Sequence, residues 1–492
     1  MHSKRGSSPK EVPLNPKHPR LVAPFLLVSL SAVLAGTSAG VIALLRSLLA
    51  LGVLPPALGQ IHGRLQIFGF LLPFVLGCST FVFPRIAAGR PLRHPELALA
   101  AAAGFGLSLL LQLAGWALPR LVTPLWRASG LALALAGLFA AAALEGPLAE
   151  LRRRRQGQAA DRGYEPVLEI ALLFVALAAA TEGLALWRAA AASDLVAPFT
   201  LAAAAERLAL GGGAAGIAFG VSTRMFPGFL GIDPGRARPP RWTVLLWATS
   251  VALGAAGSLA GIPRIESGAD LLFALAALSF AARLGLATRR GGPAIDRSRD
   301  PLFPWGARVA YASLAASAML GGLAALGSLA GLAVHLFWTD AARHLLVLGF
   351  LSTLVATMAG RLAPGWAGRP LALPWARGVA VFALPLAAAL RATEGIAGQW
   401  GPAWVVDLAA ASGPLGAIGF LGLVASVGTT LARPPRASGR TQGPSVRRAE
   451  RPAEAEQHQG REGPGEARDL ERRRREARGG HGAEPRGDRS VQ

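Results

Sequence analysis

The sequence predicts an all-α fold: a polytopic membrane bundle of about twelve transmembrane helices, arranged as three four-helix pseudo-repeats. Three observations carry that prediction. The 492 residues are 52% hydrophobic and only 16% charged, with a mean hydropathy of +0.42, which is too apolar for a soluble chain of this length. Apolar runs of about 20 residues, the length that crosses a bilayer, follow one another along the chain. Finally, one stretch recurs. Ile61–Arg90 and Asp340–Arg369 share Gly-Phe-Leu at 69–71 and 349–351, each followed by a proline 15 residues after the glycine, Pro84 and Pro364. A weaker copy at 205–235 carries its proline at Pro227, so the prolines stand 143 and 137 residues apart.

Residues 1–20 are polar, Pro-rich and basic, and read as a disordered cytoplasmic N-terminus. No cleavable signal peptide is expected, because the apolar run from Leu21 is long enough to span. Spans are predicted at 21–46, 62–86, 97–118, 129–149, 166–188, 206–230, 242–262, 268–288, 307–335, 341–363, 373–391 and 412–432. The repeated motif thus falls on the second, sixth and tenth spans. Loop charge orients them. Arginines crowd alternate loops, as at Arg85/Arg90/Arg93, Arg152–Arg155 and Arg236/Arg238/Arg241, while the loops between carry few. Positive-inside placement then puts both termini in the cytoplasm and even-numbered spans running outside to inside. Trp116, Trp126, Trp187, Trp338 and Trp400 fall near the outer ends, as an interfacial belt would. The expected location is the bacterial inner membrane, with the lipid bilayer as the first partner.

The net charge of +22 lies mostly in loops and tails, so no nucleic-acid partner is inferred. Residues 433–492, with ERRRREARGG at 471–480, read as a solvated disordered cytoplasmic tail; weak contact with anionic lipid is the alternative. The single cysteine, Cys78, excludes an internal disulfide and a c-type haem attachment motif.

Ionisable groups at membrane depth are costly and mark function by default. They are Arg64, Glu145, Glu169, Glu182, Glu206, Arg207, Asp270 and Arg283, together with histidines. His62, His335 and His344 all fall at the outer side, and His62 and His344 open helices bearing the same motif. Imidazole is a common ligand of haem iron and copper, so these three are the candidate metal ligands, with haem the first cofactor and copper the second. The alternative is that each histidine caps a helix or bonds a neighbouring carbonyl. When the Gly-Phe-Leu segments are aligned, His344 falls opposite Arg64, two residues from His62, or about 200° around a helix. Glu206 and Arg207 are adjacent and so need separate partners; Glu182 is the expected partner of Arg207. A proton relay through Glu182 or Glu206 is the functional alternative.

His62, Gln66, Gly69-Phe70 and Phe83-Pro84-Arg85, with Arg343-His344, Gly349-Phe350 and Arg361, resemble the NnrS family over roughly residues 20–432. That resemblance implies a twelve-span bacterial membrane protein of the nitric oxide response and denitrification that binds haem and copper. It also implies a distant similarity to subunit I of haem-copper oxidases, in which helices two, six and ten carry the metal histidines. Residues 206–230 hold neither His nor Tyr, which argues against oxygen reduction at a binuclear centre. Respiratory or denitrification components are the implied protein partners. Two other functions fit the same residues: a transporter or channel, and a cofactor-free scaffold for assembling a respiratory complex.

Overall fold

Twelve long helices, and no strand, make up the described residues. The computed structural model describes residues 18–48, 56–87, 90–155, 163–286, 300–334, 336–397 and 403–433. The predicted tails lie outside these, apart from residues 18–20 and Arg433, as does His335. The helices are α1 (His18–Leu48), α2 (Pro56–Ile86), α3 (Pro95–Ala117), α4 (Val122–Arg155), α5 (Glu165–Ala191), α6 (199–230), α7 (Arg241–Ala260), α8 (Pro263–Ala281), α9 (Leu302–Leu329), α10 (Phe337–Ala367), α11 (Pro374–Ala397) and α12 (Ser412–Ala432). Eleven are long and apolar enough to cross a membrane. Large exposed apolar side chains such as Leu27, Leu110, Leu138, Leu245 and Leu421 leave an outer surface suited to lipid. The chain is a multi-pass membrane protein.

The helix outside the eleven is α6. Glycines 211–213 and the charged Glu206, Arg207 and Arg224 dilute its apolar character, yet residues 204–217 are almost all buried. A helix enclosed by other helices does not need a lipid-facing surface, so polar residues there can be paired inside the protein. The other two motif helices are similarly central. Of their most apolar stretches, 89% is buried in α2 and 67% in α10, against 39% in α1, α3 and α8. The three touch one another: a Cβ at Gly213 of α6 would stand 3.4 Å from Leu72 of α2, Phe81 of α2 meets Trp366 of α10 edge-on at 6.1 Å, and Phe219 of α6 stacks on Phe350 of α10 at 5.9 Å. Tyr311 of α9 packs beside this junction, 5.1 Å from Phe350.

The motif has one local build in all three helices. Nine residues of α-helix (Pro56–Arg64, Phe199–Arg207, Leu336–His344) lead into a wider π-helical segment beginning at Leu65, Leu208 or Leu345. The residue just before that segment is Arg64, Arg207 or His344. Five residues on stands Gly69, Gly212 or Gly349, and twenty on stands Pro84, Pro227 or Pro364. Each glycine is where the preceding odd helix presses in: a Cβ would come within 2.6 Å of Ala32 in α1, 2.7 Å of Phe174 in α5, and 2.7 Å of Ser313 in α9. Close approach of this kind is what small residues permit between membrane helices. The π-helical turn has a further consequence. One extra residue per turn shifts the side chains beside it around the axis, and such turns recur at functional sites. Here they stand directly below the charged and imidazole side chains.

Candidate functional site

The polar residues of the three motif helices gather at one end of the bundle. His62 lies half-buried in α2 with its ring against α1, where a Cβ on Gly40 would stand 2.9 Å from the imidazole. Its Nδ1 donates to the Gly36 carbonyl at 2.8 Å. His344 in α10 makes the same kind of bond: Nδ1 donates to the Asp340 carbonyl at 2.9 Å and lies 3.3 Å from the Asp340 carboxylate. A carbonyl oxygen only accepts, so each neutral ring carries its proton on Nδ1 and its lone pair on Nε2. The Asp340 carboxylate in turn takes two hydrogen bonds from Arg391 of α11, at 2.9 and 3.1 Å. His62, His344, Asp340 and Arg391 are near enough to interact electrostatically. The two histidines therefore stand in one neighbourhood despite their two-residue offset. Around a central trio of helices, the side of α2 that meets α10 is not the side of α10 that meets α2, so unlike registers face each other.

Beside the histidines lies a cavity of about 730 Å³, walled by α2, α5, α6, α7, α8, α9 and α10. Arg64 reaches it from α2 and is held by Glu182 of α5, with Nε donating to the carboxylate at 2.6 Å; their side chains are only 7% and 2% exposed. The sequence led us to expect Arg207 as the partner of Glu182; the structure corrects this, and Glu182 pairs with Arg64. Arg207 turns to α8, where it bonds Asp270 and, at 3.1 Å, Glu266. The reason lies in the register just described: Arg64 and Arg207 hold equivalent positions in α2 and α6, so each faces the next helix around the ring. Glu206 points away from Arg207 and meets Arg343 of α10 at 3.2 Å. The adjacent pair does have separate partners.

Glu266 was missed because span eight was expected to begin at residue 268, whereas α8 starts at Pro263. Proline at a helix start, followed by carboxylates four residues apart at 266 and 270, was the available signal. Gln60 was also missed. Its amide donates to the Ala197 carbonyl at 3.0 Å and accepts from the Ala197 N–H at 2.9 Å, tying α2 to the loop before α6. The remaining intramembrane charges lie elsewhere. Glu145 and Glu169 share Arg152 at the opposite end, and Arg283 donates to the carbonyls of Arg236 and Arg238.

The model of the NnrS protein family matches residues 23–435, nearly the whole helical bundle. The chain belongs to the NnrS family. Comparison with curated proteins finds no relative. In this NnrS protein the family match covers every helix that contributes to the cavity and both histidines.

Proposed function

We propose that this NnrS protein binds haem in the bacterial inner membrane through His62 and His344, and that it acts in the response to nitric oxide and nitrosative stress or in denitrification. One observation carries the reading: two imidazoles on repeated helices, each held by a carbonyl oxygen at Nδ1. That arrangement fits the group. A ligating histidine characteristically donates its second N–H to an oxygen acceptor, which fixes the tautomer and orients the ring. Asp340, pinned by Arg391, adds a carboxylate beside His344. Haem bound here would supply an iron able to bind diatomic gases and exchange electrons. The chain supplies the rest: α1 seats the His62 ring at Gly36 and Gly40, and the Asp340–Arg391 pair holds His344. The same two imidazoles suit copper as a second possibility. The loop arginines favour a cytoplasmic location for both termini, and respiratory or denitrification proteins are the expected partners.

The test is the visible spectrum of the purified protein. A Soret band is expected, and His62→Ala or His344→Ala should remove or shift it while the protein still inserts. Wild-type spectra in both single variants and in the double variant would end the proposal, as would purified protein that takes up no haem. A second reading, transport, is favoured by the charged cavity beside the histidines. Solute flux into proteoliposomes that survives loss of both histidines would support it.

A further inference from the structure

The histidine end holds two compartments, and one arginine belongs to both. The cavity is walled in part by Gly63 and Arg64 of α2 and by Ala342 and Arg343 of α10, whereas neither His62 nor His344 lines it. Successive helical residues stand about 100° apart around the axis, so Arg343 borders the cavity while His344, the next residue, turns away from it. Arg343 nonetheless reaches both sides. Its Nη1 lies 3.2 and 3.3 Å from the two carboxylate oxygens of Glu206 in α6. Its Nη2 stands 4.0 Å from Oδ1 of Asp340. The other oxygen of Asp340, Oδ2, accepts from Arg391 at 2.9 and 3.1 Å and lies 3.3 Å from His344 Nδ1. Glu206, Arg343, Asp340 and His344 thus form one chain of charge contacts that starts at the cavity wall and ends at an imidazole. Glu206, Asp340 and His344 are only 30%, 24% and 28% exposed, so these links are screened less than pairs in open water.

We propose that Glu206 and Arg343 are positioning residues for His344, acting through Asp340, so that whatever pairs with Glu206 in the cavity is felt at the imidazole. The physical reason is the divided guanidinium. While Glu206 holds Nη1, Arg343 stays back and leaves Asp340 to Arg391 and His344. Without the Glu206 charge, Arg343 is free to close the 4.0 Å gap to Oδ1. A carboxylate drawn between two arginines, one on its own helix and one on α11, no longer sits in the same place beside the ring. Nδ1 keeps the Asp340 carbonyl but loses part of what fixes the ring plane. Ring orientation is what an outer carboxylate controls at a ligating histidine. The consequence for haem rests on the reading of His344 as a ligand; the chain of contacts itself does not.

The test uses the full chain in detergent, first without haem. Diethyl pyrocarbonate acylates an imidazole nitrogen that carries a lone pair, and peptide mass spectrometry follows its reaction at His344, with the exposed His94 as reference. Glu206→Gln and Arg343→Gln should each change the His344 rate several-fold. The double variant should match Arg343→Gln alone, because Glu206 acts only through Arg343 and coupled residues are not additive. Arg343→Lys keeps the charge and should stay nearer to wild type. Asp270→Asn removes a carboxylate from the same cavity wall, but one paired with Arg207, and should leave the rate unchanged. In haem-loaded protein, Glu206→Gln and Arg343→Gln should shift the Soret maximum and the midpoint potential. Unchanged His344 rates in both folded variants would overturn the proposal, as would additive effects in the double variant, an equal change in Asp270→Asn, or an unshifted Soret band. If Arg343→Gln does not fold, Glu206→Gln against Asp270→Asn decides. A changed rate in protein that takes up no haem would uphold the positioning chain and end the ligation reading, so the two failures are distinguishable.

Discussion

At the end of the bundle away from the histidines, Asp300 and Arg377 form a closed unit. Arg377 donates from Nη2 to both carboxylate oxygens of Asp300 at 3.0 Å and from Nε to the Ala356 carbonyl at 3.2 Å. Arg361 stands 3.7 Å from the same carboxylate, and the side chains of Asp300 and Arg377 are 8% and 6% exposed. The unit joins the segment before α9 to α10 and α11. At the histidine end the charges are more numerous and differently built. Arg207, Glu266, Arg343 and Glu206 are each between 27% and 45% exposed and border a cavity, and Arg64 is left partly unsatisfied. One end uses buried charge to fix helices in place. The other holds charge around a space. Buried ion pairs rarely add net stability over apolar packing, but breaking one strands a charge. The two ends should therefore respond to mutation to different degrees.

The largest expected effect is at the closed end. Asp300→Ala leaves Arg377 and Arg361 without their shared carboxylate and should cost about 3–5 kcal/mol, read as loss of monodisperse protein on heating in detergent. Arg207→Ala, at the other end, strands carboxylates that border the cavity, where water reaches them, and should cost clearly less. Equal losses would erase the distinction between a clamp and a site.

Next come the glycines. Gly212→Ala forces a methyl to within 2.7 Å of Phe174 Cβ, an atom fixed to the α5 backbone, so the helices must separate; about 1–3 kcal/mol is expected for such overpacking. Gly40→Ala brings its methyl to 2.9 Å from the His62 ring, the end of a side chain that can swing away. Stability should change little, whereas any Soret band that depends on His62 should shift. If Gly40→Ala unfolds the protein and leaves the spectrum unaltered, α1 is a packing helix and does not seat a ligand.

These contrasts also explain what could be read from the chain alone. The motif of Gly-Phe-Leu and a later proline located the two most buried apolar helices, because spacing along one helix is a local property. The α6 copy was legible from Pro227 even though its glycines and charges make it the least apolar of the three. The π-helical segments were not legible: a slipped backbone hydrogen bond leaves no composition of its own. Nor was the pairing of Glu182. Arg64 and Arg207 are both near the right depth, and which of them faces α5 depends on how three helices pack, a relation between residues 118 positions apart. His62 and His344 were legible as one histidine per motif helix, but their two-residue offset read as a reason to separate them. Only the packed trio shows why unlike registers face the same neighbourhood.

The smallest expected effect tests whether exposure in the bundle means contact with water. Arg152 bonds Glu145, and the two side chains are 49% and 56% exposed. Arg152 also lies 3.5 Å from Glu169, so Glu145→Ala leaves it a second carboxylate. A pair in water is worth about 0–1 kcal/mol, and the variant should match wild type within that range. The exposed sides of these residues face either water beyond the end of α4 or lipid. In lipid the remaining arginine would lose a partner with no solvent to replace it, and the cost would rise toward that of Asp300→Ala. A measured loss above about 2 kcal/mol would thus move the hydrocarbon boundary past residue 145. It would also make the Arg152 cluster a second buried clamp, at the same end of the bundle as Asp300 and Arg377.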